Sequence, residues 1–202
     1  MTLKRLTLDV IELMDHLGLA SAHLAGSSAG GIISMFAAVA HPARVRSLSA
    51  FAAIPGLKMS AGHTDYGAWM AGIRDDGVRA LLKGSIADRF NMDEVDRDFV
   101  EWFLDEAARN DPDLLIRFVG LMSGVDFADR LGEIDCPTLL VVPGGDPNQS
   151  MEEYRFCRDS IKGLTMVVYD GKRHHITDAV PRRYAADLLA FLREVRPERS
   201  VC

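Results

Sequence analysis

Four short apolar runs, at residues 22–25, 45–54, 137–146 and 164–171, each meet glycine at their far end, and segments of helical periodicity lie between them. This alternation limits the fold more than any other feature of the chain. A compact apolar run bounded by turn residues reads as a strand buried on both faces. Strands joined through helices lie parallel, because a parallel pair needs a long crossover that a hairpin cannot supply. The expected architecture is therefore an α/β fold, a parallel sheet flanked by helices.

The helical segments are legible in the same way. Leu6, Val10, Leu13 and Leu17 recur at helical spacing and Gly18 follows as a stop. Residues 29–40 are small and apolar, and His41-Pro42 ends them, so they read as a buried helix. Further helices are expected at about residues 150–162 and at 181–195. The stretch 57–135 changes character, being charged, rich in Met and Trp, and periodic at helical spacing. Asp111-Pro112 is a good helix start there, and Phe99, Phe103 and Ala107 share a face. Three or four helices are expected in it. The implied organisation is a core of residues 1–56 and 136–202 with a helical cap at 57–135.

Charge and cysteine usage narrow the partners. With a net charge of −6 and no Lys/Arg cluster interleaved with aromatics, nucleic acid is not an expected partner. The acidic run Asp93, Glu94, Asp96, Asp98 reads as a solvated helix face. Residues 24–40 carry no charge but contain three glycines and three serines, which suits a buried strand and helix better than a membrane span. Acidic residues interrupt the apolar positions of the first eighteen residues, so no secretory leader is expected. Cys136, Cys157 and Cys202 are odd in number and widely spaced, which fits reduced thiols and a cytoplasmic location; Cys136 reads as small core filler. The "PERSVC" tail reads as frayed.

The turn after the first apolar run is GSSAGG, at residues 26–31. Gly26, Ser28 and Gly30 satisfy G-x-S-x-G, which selects Ser28 over Ser27. In such a turn the strand bends sharply into a helix and leaves the serine at a strained apex, flanked by glycines because a Cβ would collide there. The helix start offers unpaired N–H groups and the positive end of its dipole, so the N–H of Ala29 is placed to meet an oxyanion formed by attack of Ser28. A phosphate loop is the competing reading of such glycines, but neither G-x-G-x-x-G nor G-x-x-x-x-G-K-[ST] occurs.

A serine hydroxyl needs a base, and the base needs an orienting carboxylate. Asp146 follows LLVVPGG and His174 follows VVYDGKR, each just beyond a predicted strand. Ligands of open parallel sheets gather at that end of the strands, so Ser28, Asp146 and His174 would converge. Gly-Asp-Pro is also good turn chemistry, which leaves a surface turn as the other reading of Asp146. His175 is either a solvated neighbour or a substrate contact; His16, His23, His41 and His63 read as structural or surface residues. No Cys/His cluster suggests a metal, and no cofactor is expected.

The segments LDVIELMDHLGLASAHLAGSSAGGIISMFAAVAHPARVRSLSAFAA, CPTLLVVPGGDP and VVYDGKRHHITDAVPRRYAADLLAFL together resemble the α/β-hydrolase family, and the resemblance covers nearly the whole chain. The order Ser, Asp, His is the order of that family. Its terminal segment is matched with Gly171 three residues before His174 and Pro181 seven after, which favours His174 over His175. The resemblance implies a helically capped serine hydrolase of the enol-lactonase, esterase or cofactor-free haloperoxidase kind. SSAGG is also similar to the hormone-sensitive-lipase-like esterases, which the helical middle suits less well. The expected substrate is a small-molecule ester or lactone, with Trp69, Met70, Trp102, Phe103, Phe118 and Met122 as candidate pocket residues; core of the cap is the other reading of each.

One departure stands out. The family places several strands before the elbow, and a His-Gly or Gly-Gly loop there gives the second oxyanion donor. This chain begins one helix before the elbow strand, so its sheet is expected to be N-terminally truncated, with that strand at an edge. Three explanations stay open: a fragment of a longer hydrolase, an edge covered by a second subunit in a homo-oligomer, or a catalytically weak relative retained as a ligand-binding or interaction protein.

Overall fold

The structure is a computed structural model that describes residues 1–58 and 64–195. His63, Cys202 and the PERSVC tail, all given readings above, lie outside the described residues. Four strands, β1 (Ala22–Ser27), β2 (Val45–Phe51), β3 (Thr138–Pro143) and β4 (Thr165–Tyr169), form one sheet in the order β1-β2-β3-β4. Every neighbouring pair is parallel, in a register that sets Gly26 beside Ala50, Ala50 beside Leu140 and Leu140 beside Met166. The expected α/β class, with helices on a parallel sheet, is what the chain adopts.

The continuous apolar runs are explained by burial on both faces. Leu48 and Ala50 of β2, with Leu140 and Val142 of β3, pack on one face against Ile32 and Met35 of α2 (Ala29–Ala40) and Tyr154 and Cys157 of α8 (Met151–Ser160). Phe51, Leu139, Val141 and Tyr169 face the other way, onto Tyr184, Leu188, Phe191 and Leu192 of α10 (Pro181–Glu194). Alternate residues of one strand thus serve two separate cores, and neither side needs polar positions. The edge strands are less covered: β4 runs from exposed Thr165 through half-buried residues to buried Tyr169, and β1 is barer still. It lies at one edge, alternates between half-buried and exposed residues, and α1 (Leu3–His16) packs against α2 beside it. Cys157 is buried and Cys136 is partly buried against the same core.

Strand β2 is shorter than the apolar run 45–54 suggests. It ends at Phe51, because Ala52 takes a φ of +47° that no extended strand contains. Ala52, Ala53 and Ile54 are nonetheless fully buried, so their apolar character reports packing and not strand.

Between β2 and β3 the described residues form five helices, α3 (Tyr66–Asp75), α4 (Val78–Gly84), α5 (Ile86–Arg89), α6 (Arg97–Ala108) and α7 (Pro112–Ser123), followed by a 3-10 turn at Ala128–Glu133. Three or four were expected. The excess arises because Gly77, at φ +84°, and Ser85 divide a region whose helical period runs on across the breaks. The start of α7 follows the expected chemistry: the Asp111 side chain accepts from the N–H groups of Asp113 and Leu114, and Pro112 occupies the first turn. A short helix not foreseen, α9 (Ile176–Ala179), follows the two adjacent histidines.

Candidate active site

The turn from β1 into α2 carries local strain. Ser28 caps α2 with φ +51° and ψ −120°, a conformation non-glycine residues avoid. It is held there by its N–H donating to Phe51 O at 2.8 Å and by its carbonyl accepting from Ile32 N at 3.0 Å. The glycines around it are not equivalent. A Cβ on Gly26 would sit 2.3 Å from the backbone oxygen of Gly30, and one on Gly31 would sit 2.4 Å from Ala53 Cβ. A Cβ on Gly30 would meet nothing within 4 Å. The expectation that Gly26 and Gly30 are both sterically required is therefore corrected: the second required glycine is Gly31, where α2 crosses the chain leaving β2. Ala29 opens α2, so its N–H has no acceptor within the helix, and it lines the same cavity as Ser28.

Asp146 and His174 are brought to Ser28 by two loops stitched together through their backbones. Gly144 N donates to Tyr169 O at 2.9 Å, Gly145 N donates to Lys172 O at 2.9 Å, and Arg173 Nη1 donates to Gly145 O at 3.1 Å. Close approach requires the glycine: a Cβ on Gly145 would lie 3.1 Å from Gly171 O. Asp146 Oδ2 then lies 2.6 Å from His174 Nδ1, and His174 Nε2 lies 2.9 Å from Ser28 Oγ. With Nδ1–H donating to the carboxylate, Nε2 is left to accept from the serine hydroxyl.

The Asp146 side chain is fully buried and makes every bond a carboxylate there needs. Oδ1 accepts from Asn148 N at 2.9 Å, and Oδ2 also faces the Tyr154 hydroxyl at 3.2 Å. Tyr154 is buried beneath it and lies closer still to Gln149 Oε1. Burial first, and the Asp146 charge second, push the Tyr154 phenol well above its ordinary range, so it remains a neutral donor. Asp146 is thus no surface turn residue.

His175 lines the same cavities as Ser28 but makes its own bonds elsewhere. Its ring packs on Phe90 and Phe103, its Nδ1 donates to Asp178 Oδ2 at 3.1 Å, and its N–H donates to Arg89 O at 3.1 Å. Burial, reinforced by His174 and Arg89, lowers its pKa despite Asp178. The Asp178 pKa is also lowered, chiefly by that hydrogen bond. The two directions agree if a neutral imidazole donates to an ionised carboxylate. His23 meets Ser47 Oγ at 2.7 Å on the edge strand, away from these groups.

An apolar cavity of about 390 Å³ opens at Ser28. Of the candidate pocket residues, Trp69, Phe103, Phe118 and Met122 line it. Met70 and Trp102 do not: Met70 Sδ packs toward Gly120, and Trp102 is 57% exposed against Phe99. Helical periodicity gives a face, but the assignment of faces to cavity or solvent is tertiary. Sequence reading also missed Arg89, which lines this cavity and the adjoining one beside His174. Nothing local marks it, since Ala-Asp-Arg-Phe resembles any solvated helix end. Among the described residues no three His, Cys, Asp or Glu side chains gather as metal ligands, and no helix is long and apolar enough to cross a membrane.

A parallel sheet with a strained serine at a strand-to-helix turn, and with Asp and His on later loops, defines the α/β-hydrolase fold, and this chain has that fold. No family model matches the chain. Among solved structures it is similar to an esterase from Exiguobacterium antarcticum (TM-score 0.86, 19% identity, 96% of this chain and 74% of that one). It is also similar to the enol-lactonase from Burkholderia xenovorans LB400 (TM-score 0.84, 21% identity, 96% and 74%). Among curated proteins it is 23% identical over 190 residues to the putative carbamate hydrolase RutD of Caulobacter sp. (strain K31), covering 91% of this chain and 70% of that protein.

Proposed function

We propose that the chain is a serine hydrolase that cleaves a carboxylic ester or lactone through an acyl-enzyme on Ser28. The observation that carries this reading is the unbroken hydrogen-bonded line from buried Asp146 through His174 to Ser28, ending at the mouth of an apolar cavity. The esterase and lactonase names of its structural neighbours agree with it.

In this reaction Ser28 Oγ attacks the substrate carbonyl while His174 Nε2 takes its proton. Asp146 holds the imidazole in the tautomer that can accept, and stabilises the imidazolium that forms. The Ala29 N–H meets the oxyanion at the start of α2. His174 gives the proton to the leaving alkoxide, then takes one from the water that attacks the acyl-enzyme, and passes it to Ser28 Oγ as the acyl–oxygen bond breaks and the acid leaves. Apolar walls from α3, α4, α6 and α7 receive the hydrocarbon part of the substrate and exclude water from the ester.

The test is labelling with a fluorophosphonate, alongside hydrolysis of 4-nitrophenyl butyrate. The expected result is one labelled residue, Ser28, with label and turnover both lost in Ser28→Ala and His174→Ala. Turnover that survives Ser28→Ala overturns the mechanism. Absence of labelling in the folded wild-type protein favours the binding-protein reading.

A further inference from the structure

Arg89 is a buried charge that acyl transfer does not use. It ends α5 at 5% exposure, and no ion pair among the described residues includes it. Its neighbour Asp88 is exposed and makes no hydrogen bond to it. Nη1 donates to Ser85 O and Ser85 Oγ, at 3.2 and 3.0 Å, and the guanidinium lies 4.9 Å from the centre of the Trp69 ring. These contacts fix its plane and occupy one end of the fork. The Nε–Nη2 edge has no acceptor among the described residues. That edge belongs to a side chain lining both the apolar cavity and the smaller one of about 140 Å³ that contains Ser28 and His174.

Among the described residues the compensation is slight: exposed Asp88 acts on Arg89 through its field alone, which offsets only part of the burial penalty. Thr64, Tyr66, Asn148 and Gln149 line the small cavity with neutral polar groups, and among the described residues no Asp or Glu lines either cavity. Asp146 is committed to His174, Tyr154 and Asn148. His175, also on the wall, is held toward its neutral form by burial. A buried guanidinium with no carboxylate in contact is a standing cost unless something that visits the cavity brings one.

We propose that Arg89 is the counter-ion of the substrate: the cavity takes an ester or lactone that also bears a carboxylate, which pairs side-on with the Nε–Nη2 edge while the reacting carbonyl lies at Ser28. This rests on the hydrolase reading above and adds to it the class of substrate. A carboxylate fits better than a phosphate. It is planar, presents two oxygens to two parallel N–H groups, and cancels the single positive charge without leaving a second negative charge against apolar walls. Trp69, whose ring centre lies 4.9 Å from the guanidinium carbon, adds a cation–π contact that favours this position of the fork.

The experiment compares 4-nitrophenyl hydrogen glutarate with the neutral 4-nitrophenyl methyl diester of the same acid. The wild-type protein is expected to favour the charged hemi-ester in kcat/KM by about tenfold or more, the size of one charge-assisted hydrogen-bonded pair. Arg89→Gln should bring that ratio to about one, and Arg89→Lys should leave it in between, keeping charge without the fork. A wild-type ratio near one, or a ratio that survives Arg89→Gln, overturns the proposal.

Because Arg89 is buried and its replacement can unfold the chain, a second measurement uses none of its variants. In Ser28→Ala protein, calorimetry should find monomethyl glutarate bound about tenfold more tightly than dimethyl glutarate. Equal affinities overturn the proposal. Tighter binding of the hemi-ester together with residual turnover in Ser28→Ala would count against the serine mechanism while upholding Arg89, so the two failures are distinguishable.

Discussion

The Tyr154 hydroxyl lies 3.2 Å from Asp146 Oδ2, the same oxygen that His174 Nδ1 meets at 2.6 Å. A buried tyrosine from α8 thus supports the carboxylate that orients the imidazole. Tyr154→Phe keeps the packing and removes one donor. Loss of one hydrogen bond to a charged group is worth about 1.5–3 kcal/mol. The one phenol proton is drawn more closely to Gln149 Oε1 than to Asp146, and Asn148 N and His174 still hold the carboxylate, so the loss falls below that range and kcat should drop severalfold with KM nearly constant. Steady-state kinetics with a chromogenic ester check this. A change confined to KM would show that Tyr154 does not act through Asp146.

The glycines of the elbow should separate by position. Gly30→Ala places a methyl in open space within a helix, where alanine is favoured over glycine by about 1 kcal/mol, so it should raise the melting temperature slightly. Gly26→Ala drives a Cβ into the Gly30 backbone, and Gly31→Ala drives one into Ala53, so both should lower it by several degrees or prevent folding. Thermal melts of the three variants check the order; destabilisation by Gly30→Ala comparable to the other two would contradict it.

His175 should make the protein acid-sensitive. Its folded pKa lies below the ordinary 6.5, first because of burial. Below that pH the unfolded chain therefore binds a proton that the folded chain does not, and stability falls as pH drops. The contribution is fully present above about pH 6.5 and is lost as pH falls through the lower folded value. Urea denaturation at pH 7.5 and pH 5 should show a smaller pH difference in His175→Gln than in the wild type. Equal differences would remove His175 as the cause.

The cavity wall should control acyl-chain preference while the outer face does not. Phe118→Ala enlarges the cavity of about 390 Å³ and should move the preferred 4-nitrophenyl ester to a longer acyl chain. Trp102→Ala alters an exposed ring on α6 and should leave the preference where it was. A series of esters from acetate to octanoate measures both.

Much of this molecule can be read locally. Continuous apolar runs mean strands buried on both faces, so the parallel sheet, its order of elements and helix α2 follow from hydrophobic pattern and turn chemistry. Ser28, Asp146 and His174 are legible because each stands at a turn just past a strand, and parallel strands bring such turns to one edge. What was lost is equally physical. Ala52 to Ile54 look like strand because burial and strand share one apolar signature. Gly30 and Gly31 are identical in composition, and only the crossing of α2 over Ala53 makes one necessary and the other free.

Sequence by itself determined the alternation of strands and helices and offered the three polar residues that meet, since those depend on periodicity and chain direction. The tertiary structure alone decided which helical faces enclose the cavity, that Tyr154 stands behind Asp146, and that Arg89 is buried with no carboxylate bonded to it. Each of these depends on how distant segments pack in three dimensions, and an arginine at a helix end reads the same whether it faces water or a substrate.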